Sequence, residues 1–150
     1  MQYQRLRRWA FLEIHGFPPD REDPMRRRVP LGWSNVWAVN TTAIFHPATQ
    51  WLPASDVKSI RGAMEMQLRE SDQEASLAYQ TANVENSADS ATALGSYSTS
   101  NGVAYPSAWE DISAYTEQKQ LIRFGWLVKN TSGSTRTWSR VGGFMEISDS

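Results

Sequence analysis

The sequence predicts an all-β protein, either an antiparallel β-sandwich or a jelly roll, with an irregular N-terminal arm. Three observations support this class. After residue 55, apolar and polar residues alternate with period two, polar turn-forming stretches separate the alternating segments, and no strongly helical segment lies between them. Because parallel strands need long crossover connections, which are usually helices, the strands are expected to be antiparallel. The chain is therefore divided into an arm over residues 1–54 and a sandwich domain over residues 55–150.

The predicted arm contains one short helix and little other regular structure. Residues 5–14 can place Leu6 and Trp9 on one side of a helix, which ends at the Gly and the two Pro that follow. Further prolines recur too often for a long element. Two apolar runs, residues 36–39 and 43–45, are either strands or extended segments. The arm is too apolar for a free tail, so we expect it to become ordered against another surface.

The first half of the domain is predicted to form a β-hairpin. Apolar residues alternate with charged ones over residues 60–69, a polar connection follows at residues 70–74, and alternation resumes over residues 75–82. The Met, Glu, Gln, Leu and Ala residues also favour a helix over residues 63–79. A helical wheel, however, separates Met66 from the other apolar residues, so strands are preferred.

The C-terminal segment, residues 120–147, is predicted to be a long hairpin. Apolar side chains at every second position of residues 122–128 face one way, residues 130–135 have turn composition, and the alternation returns over residues 141–147. The Gly142-Gly143 pair indicates either a bulge or a place where another side chain lies across the backbone.

Charge is distributed unevenly along the chain, although the net charge is only −1. Residues 1–28 hold seven Arg and four acidic residues, a net of +3, whereas residues 29–150 hold eight basic and twelve acidic residues, a net of −4. Opposite signs suggest that the arm contacts an acidic neighbour, such as the body of another copy. A solvated N-terminus is the alternative.

Residues needed for common catalytic mechanisms are missing. The chain has no Cys, which excludes thiol nucleophiles, thiolate metal sites and disulfides. Neither His15 nor His46 has a second ligand at metal-site spacing. The acidic residues at 70–74 and 110–111 lie in polar connections, unlike the buried carboxylates of glycosidases. The sequence therefore predicts a non-enzymatic protein with no cofactor and no metal.

Membranes and nucleic acids are also disfavoured as partners. The apolar stretches are too short and too interrupted to span a membrane, and the N-terminus lacks the apolar run of a secretion signal. Arg26-Arg27-Arg28 is the only dense basic run, and an acidic body without interleaved aromatic residues argues against a dedicated nucleic-acid binder. Docking onto an acidic protein surface is favoured over nucleic-acid binding, and a solvated basic run is favoured over both.

Four short segments carry a resemblance to a known class of proteins. They are Tyr79–Asn83, Gly95–Tyr97, Arg123–Val128 and Arg140–Gly143. Together with Ser/Thr/Ala-rich strands and the lack of Cys, they make residues 55–148 resemble the small β-sandwich structural proteins of tailed bacteriophage virions. These include head decoration (cement) proteins and small tail or fibre components. The resemblance implies a location in the virion and other virion proteins, such as a major capsid or tail protein, as partners.

The first functional hypothesis is therefore a virion structural protein, most specifically a capsid decoration or cement protein. It would bind neighbouring subunits through its arm and its sandwich surface, and would form a homo-oligomer. Permanent interfaces are enriched in aromatic anchors and Arg. On this basis the predicted partner-binding residues are Trp9, Arg26, Arg27, Arg28, Trp33, Trp37, Trp51 and Trp138.

The second hypothesis is a tail or fibre component, or a carbohydrate-binding module, that uses exposed aromatic residues. Aromatic rings on a β-sandwich can stack on sugar rings. The predicted platform consists of Tyr105, Trp109, Tyr115 and Trp138. The alternative for Trp138 is that it covers the sheet or meets a neighbouring subunit.

Overall fold

The computed structural model describes residues 26–68, 72–85, 88–95, 97–98, 102–104 and 108–150. These residues form ten β-strands, a single 3-10 turn at Ala54–Asp56 and one short helix, α1 (Ser113–Thr116). The strands are β1 (Arg26–Ala38), β2 (Ile44–Pro47), β3 (Leu52–Pro53), β4 (Ser59–Leu68), β5 (Gln73–Ala82), β6 (Thr92–Ala93), β7 (Gly102–Ala104), β8 (Glu110–Asp111), β9 (Leu121–Asn130) and β10 (Thr137–Ser148). No helix in the described part of the chain has the length and apolarity needed to cross a membrane.

The strands pack as two five-stranded antiparallel sheets. The first sheet has the order β1-β10-β4-β7, with β8 also paired to β4. The second has the order β2-β9-β5-β6, with β3 also paired to β9. The predicted all-β class and the antiparallel sandwich are therefore confirmed.

The core lies between the two sheets and is built from the alternate positions that the sequence pattern indicates. Strand β9 contributes a fully buried side chain at every second position from Ile122 to Val128. Strands β4 and β10 face it with inward side chains such as Met66 and Met145. Each such burial contributes about 1.5–3 kcal/mol relative to exposure, so this alternation is the main determinant of the fold.

Neither of the two predicted hairpins forms. Strands β4 and β5 lie in opposite sheets, and so do β9 and β10. Instead, β4 pairs with β10 and β5 pairs with β9, each over ten residues. Alternation shows which side chains face the core, but it does not determine which strand lies alongside. Both connections cross from one sheet to the other, and this crossing brings the two apolar faces together.

Residues 26–54 also differ from the expected irregular arm. Strand β1 pairs with β10 along its whole length, β2 and β3 pair with β9, and Leu31 and Val36 are buried in the common core. Pro30 is tolerated because β1 is an edge strand with a bulge at Leu31, where Pro30 lies opposite Phe144 and Gly32 opposite Gly143.

The remainder of the predicted arm, residues 1–25, lies outside the described residues. This part includes Trp9, His15 and the helix predicted over residues 5–14. An interacting arm over residues 1–25 therefore stays a prediction.

Candidate functional site

The outer face of the first sheet carries a row of large aromatic side chains. Trp33 and Trp37 project outward from β1, Trp138 and Phe144 project outward from β10, and Trp109 precedes β8. We call these five residues the aromatic face. Trp33 is 46% exposed and Trp138 is 40% exposed, which is unusual for side chains that gain so much from burial.

A guanidinium group lies over every ring of the aromatic face. The distances from the guanidinium carbon to the ring centroid are 4.7 Å for Arg136 over Trp37, 6.0 Å for Arg136 over Trp138, 4.8 Å for Arg140 over Trp33, 3.9 Å for Arg28 over Phe144, 4.6 Å for Arg61 over Trp109 and 5.3 Å for Arg26 over Trp109. Each exposed cation–π contact contributes about 0.5–1 kcal/mol. The contacts therefore hold both rings and cations in preferred positions on the surface.

Glu146 links two of these arginines. One carboxylate oxygen accepts a hydrogen bond from Nε of Arg61 at 2.8 Å, and the other accepts one from Arg28 at 3.4 Å. The hydrogen bond from Arg61, followed by that from Arg28, holds the pKa of the Glu146 carboxyl below its ordinary value. Glu146 thereby fixes Arg28 over Phe144 and Arg61 over Trp109.

Gly142 is the place where another side chain crosses the backbone, as the sequence suggested for the Gly142-Gly143 pair. A Cβ at Gly142 would lie 2.6–2.9 Å from the ring carbons of Trp33, so only Gly lets this ring rest flat on β10. The bulge in this part of the sheet is at Leu31 in β1, opposite the glycines.

The aromatic face is basic. Its cations are Arg26, Arg28, Arg61, Arg136 and Arg140, and the outward acidic residues of β4, β8 and β10 are Glu65, Asp111 and Glu146. Five positive charges against three negative ones give a net of +2. Residues 26–150 together hold eleven basic and twelve acidic residues, a net of −1, so the rest of this region has a net of −3.

Five of the eight predicted partner-binding residues meet on this face. They are Arg26, Arg28, Trp33, Trp37 and Trp138.

Arg27 and Trp51 lie elsewhere. Arg27 extends from the other side of β1 and forms an ion pair with Asp56 at 3.7 Å. Trp51 lies near the second sheet, with the guanidinium carbon of Arg123 4.3 Å from its ring centroid. Trp9 is outside the described residues.

Sequence reasoning assigned no binding role to Phe144 or to the arginines at positions 61, 136 and 140, and it assigned Trp109 to the sugar-binding platform instead. The alternation in β10 did place Arg140, Phe144 and Glu146 on a common outer side. What was missing was the pairing of β10 with β1 and β4, which brings the arginines and rings of three strands together.

The predicted sugar-binding platform is not brought together by the fold. Trp109 lies beneath Arg61, and Arg61 is opposite Glu146 in the sheet. Trp138 is eight residues along β10 from Glu146, so these two positions are roughly 27 Å apart at 3.4 Å per residue. Tyr115 packs against Tyr79, with 6.1 Å between the ring centroids. Tyr105 lies outside the described residues.

His46 and two of the acidic residues considered in the sequence, Glu74 and Asp111, have structural partners. Nε2 of His46 lies 2.8 Å from the carbonyl oxygen of Trp37, and the two rings meet edge to face. Asp111 accepts a hydrogen bond from the backbone N–H of Ser113, and Glu74 forms an ion pair with Lys129. In the described parts of the chain, no cluster of three or more His, Asp or Glu side chains is placed to hold a metal ion.

Comparison with known proteins identifies a fold but not a family. No family model matches the chain, and no curated protein matches it. Among solved structures, the chain is similar to chains of infectious bursal disease virus. For the Gt strain the TM-score is 0.58 at 8% identity, with coverage of 89% of this chain and 36% of the other. For the Gx strain the TM-score is 0.57 at 9% identity, with coverage of 85% of this chain and 32% of the other.

A third similar structure is the VP2 subviral particle of the same virus. Its TM-score is 0.56 at 10% identity, with coverage of 88% of this chain and 34% of the other. The chain thus spans about a third of the length of these solved chains. The chain has a viral capsid-like β fold. The likeness does not point specifically to tailed bacteriophages.

Proposed function

We propose that the chain is a non-enzymatic structural protein of a virus particle that assembles with other virion subunits through the aromatic face. The fold likeness to virus-particle chains supports the class. The exposed, arginine-covered row of rings on the first sheet is the observation that supports this mode of assembly.

The composition of this face is that of a protein interface. Trp and Arg are the residues that most often dominate binding energy, and the core of a typical interface is enriched in aromatic rings. The arginines are already positioned over the rings and by Glu146, so less conformational entropy would be lost on binding. Their remaining N–H groups suit an acidic or carbonyl-rich partner surface.

The more specific proposal is a capsid decoration or cement protein of a tailed bacteriophage. In this version, residues 1–25 form the arm that reaches a neighbouring major capsid or tail protein. Their Arg residues and Trp9 give that segment the composition of an interaction arm. A tail or fibre location is the alternative.

The association state of the purified full chain tests the proposal. We expect sedimentation velocity over a concentration series to show species larger than the 17.0 kDa monomer. The double substitution Trp33→Ser/Trp138→Ser should weaken association at least about tenfold, equivalent to ~1.4 kcal/mol, because it removes two exposed anchors.

Tyr115→Ser is the matched control, since Tyr115 is 54% exposed and lies away from the aromatic face. This control should associate like the unmodified chain. A monomer at all concentrations, or equal association of both variants, would contradict assembly through this face. Glycan binding lost on Trp138→Ser, without self-association, would instead favour the carbohydrate-binding module.

A further inference from the structure

The arginines at the start of β10 differ from those held by Glu146 at the other end of the aromatic face. Glu146 accepts hydrogen bonds from Arg28 and Arg61. Arg136 and Arg140 are exposed, and neither forms an ion pair with a described residue. This end of the face can therefore bind carboxylates of a partner through charge-assisted hydrogen bonds.

The rings beneath these two arginines form an apolar surface. The ring centroids of Trp37 and Trp138 are 6.5 Å apart, and Arg136 lies over both rings. Trp33 lies across the backbone of β10 and is 46% exposed. Pro-rich segments with an extended backbone dock on aromatic-lined surfaces of this kind. The surface thus suits a partner segment that contains both Pro and carboxylates.

The chain itself contains such a segment immediately before β1. Residues 17–25, which we call the acidic segment, contain three Pro, three carboxylates and one Arg, a net charge of −2. Two Pro precede the carboxylates and one follows them, so the sequence predicts an extended backbone there. The segment reads Phe17-Pro18-Pro19-Asp20-Arg21-Glu22-Asp23-Pro24-Met25.

The acidic segment cannot reach Arg136 of its own subunit. Strand β1 begins at Arg26, which lies opposite Ser148, whereas the guanidinium group of Arg136 lies over Trp138. Trp138 and Ser148 are ten residues apart along β10, roughly 34 Å at about 3.4 Å per residue. Asp20 precedes Arg26 by six residues, which extend over at most about 22 Å. An acidic segment that contacts Arg136 must therefore come from another copy.

The acidic segment is favoured over the folded body of a neighbour as the occupant of this site. Glu74 in the body already pairs with Lys129 at 3.2 Å. Asp89 already pairs with Lys119 at 2.9 Å. The acidic segment places three carboxylates within four residues next to Pro, which matches both the arginines and the rings.

We propose that the acidic segment of one copy docks on the aromatic face of a second copy, at Arg136 and Arg140. The inference rests on the proposed function, in that it names the segment that meets this face. The carboxylates of Asp20, Glu22 and Asp23 accept hydrogen bonds from the two arginines, and the proline rings pack on the Trp rings. Because each copy has one segment and one face, the contact either joins successive copies or is exchanged within a pair.

Charge reversal tests this contact in the full-length chain. Arg136→Glu/Arg140→Glu should weaken self-association at least about tenfold in sedimentation velocity, because the carboxylates lose their cationic partners. Asp20→Lys/Glu22→Lys/Asp23→Lys should weaken it to a similar extent. If the Glu substitutions prevent folding, Arg136→Gln/Arg140→Gln provides the same test with a smaller expected loss.

Mixing the two charge-reversed variants distinguishes a contact between copies from one within a copy. In the mixture, the acidic segment of the first variant meets the unmodified face of the second, and the Lys-substituted segment meets the Glu-substituted face. We expect the equimolar mixture to associate at least about tenfold more tightly than either variant alone. Glu65→Gln should strengthen association of the otherwise unmodified chain, since Glu65 lies opposite Gly142 on the same face and repels an acidic occupant.

Matched controls carry the same changes of charge away from this site. Arg27→Glu/Lys58→Glu reverses two exposed cations, and Asp56→Lys/Glu85→Lys/Glu117→Lys reverses three exposed anions. Both controls should associate like the unmodified chain. Circular dichroism should show a folded β-protein for every variant that enters the comparison.

The outcomes separate this inference from the proposed function. If Trp33→Ser/Trp138→Ser weakens association but the charge-reversed variants associate normally, docking of the acidic segment is wrong and assembly through the aromatic face stands. If only one of the two charge-reversed variants associates more weakly, the segment and the face bind different partners and the inference is overturned. Recovery only when both sets of substitutions are in one chain would place the segment on its own subunit. A monomer at every concentration contradicts both proposals.

Discussion

Glu146 is the acidic residue on which the geometry of the aromatic face most depends. Its side chain is only 20% exposed and lies between Arg28 and Arg61, each of which also covers an aromatic ring. Protonation of this carboxyl would weaken both ion pairs together. Protonation of Glu146 would therefore weaken the contacts of Arg28 with Phe144 and of Arg61 with Trp109.

The lowered pKa of Glu146 predicts a specific pH dependence of stability. The carboxyl has an ordinary value of 4.5 and a lower value in the folded chain, so the folded state is stabilised above 4.5. This contribution is lost as pH falls from 4.5 through the lowered pKa. The expected loss is about 1 kcal/mol or less per ion pair, and it can be measured by urea unfolding between about pH 7 and pH 3.

The variant Glu146→Gln should remove this part of the pH dependence and lower stability at pH 7. Glu65→Gln is the matched control, because Glu65 lies on the same face and forms no ion pair with a described residue. An unchanged acid profile in Glu146→Gln would show that the two arginines do not stabilise the folded state through this carboxylate.

At the scale of elements, a buried polar network joins the two sheet-crossing connections. Nε2 of Gln73, at the start of β5, donates to the carbonyl and hydroxyl oxygens of Thr137 at the start of β10. The Thr137 hydroxyl donates to Oδ1 of Asn130 at the end of β9, and Nδ2 of Asn130 donates to the Thr135 carbonyl oxygen. The network thus ties both sheets where the chain crosses between them.

Loss of the Thr137 hydroxyl should destabilise the fold. Thr137→Val keeps the shape of the side chain but leaves the buried Oδ1 of Asn130 without its donor and removes one of the two hydrogen bonds from Gln73 Nε2, which costs about 1–3 kcal/mol. Urea or thermal unfolding measures the change. Thr135→Val is the control, since Thr135 is exposed and takes part only through its carbonyl oxygen. Equal stability of both variants would mean that the network is dispensable.

The strands were predictable from the sequence because burial repeats at every second residue. The inward positions of β9, from Ile122 to Val128, follow from this pattern alone. Pairing was not predictable in the same way, since a polar connection such as residues 131–136 can turn within a sheet or cross to the other one. The two hairpin assignments were wrong for this reason.

The candidate site was predictable only to the extent that it depends on composition. Exposed Trp and clustered Arg indicated interface residues, and five of the eight converge on one face. Phe144 was not identified, and Trp109 was assigned to a sugar-binding platform, because the arginines over these rings come from other strands and only the sheet register brings them together. The start of β1 was assigned to the arm because Pro recurs over residues 24–53, whereas the strand forms because an edge strand tolerates a Pro that a central strand would not.

At the scale of the whole molecule, the chain combines an acidic composition with one basic aromatic sheet face. The face has a net charge of +2, and the rest of residues 26–150 has a net of −3, so different copies can attract one another. In the proposed assembly, the basic face of one copy would then meet an acidic surface of its neighbour.

The boundary between arm and sandwich can be tested by two truncations. A chain of residues 26–150 keeps every described strand and should unfold cooperatively with a β-type circular dichroism spectrum. A chain of residues 55–150 lacks β1, β2 and β3, which removes the buried Leu31, Val36 and Ala38 and exposes an edge of both β10 and β9.

The burial of Leu31 and that of Val36 each contribute up to about 1.5–3 kcal/mol, whereas a domain is stable by only about 5–15 kcal/mol in total. We therefore expect residues 55–150 to lose cooperative unfolding and to aggregate through the exposed strand edges. Thermal unfolding followed by circular dichroism measures the difference between the two chains. Cooperative unfolding of residues 55–150 at the midpoint of residues 26–150 would instead mean that the first three strands are an appendage to an independent domain.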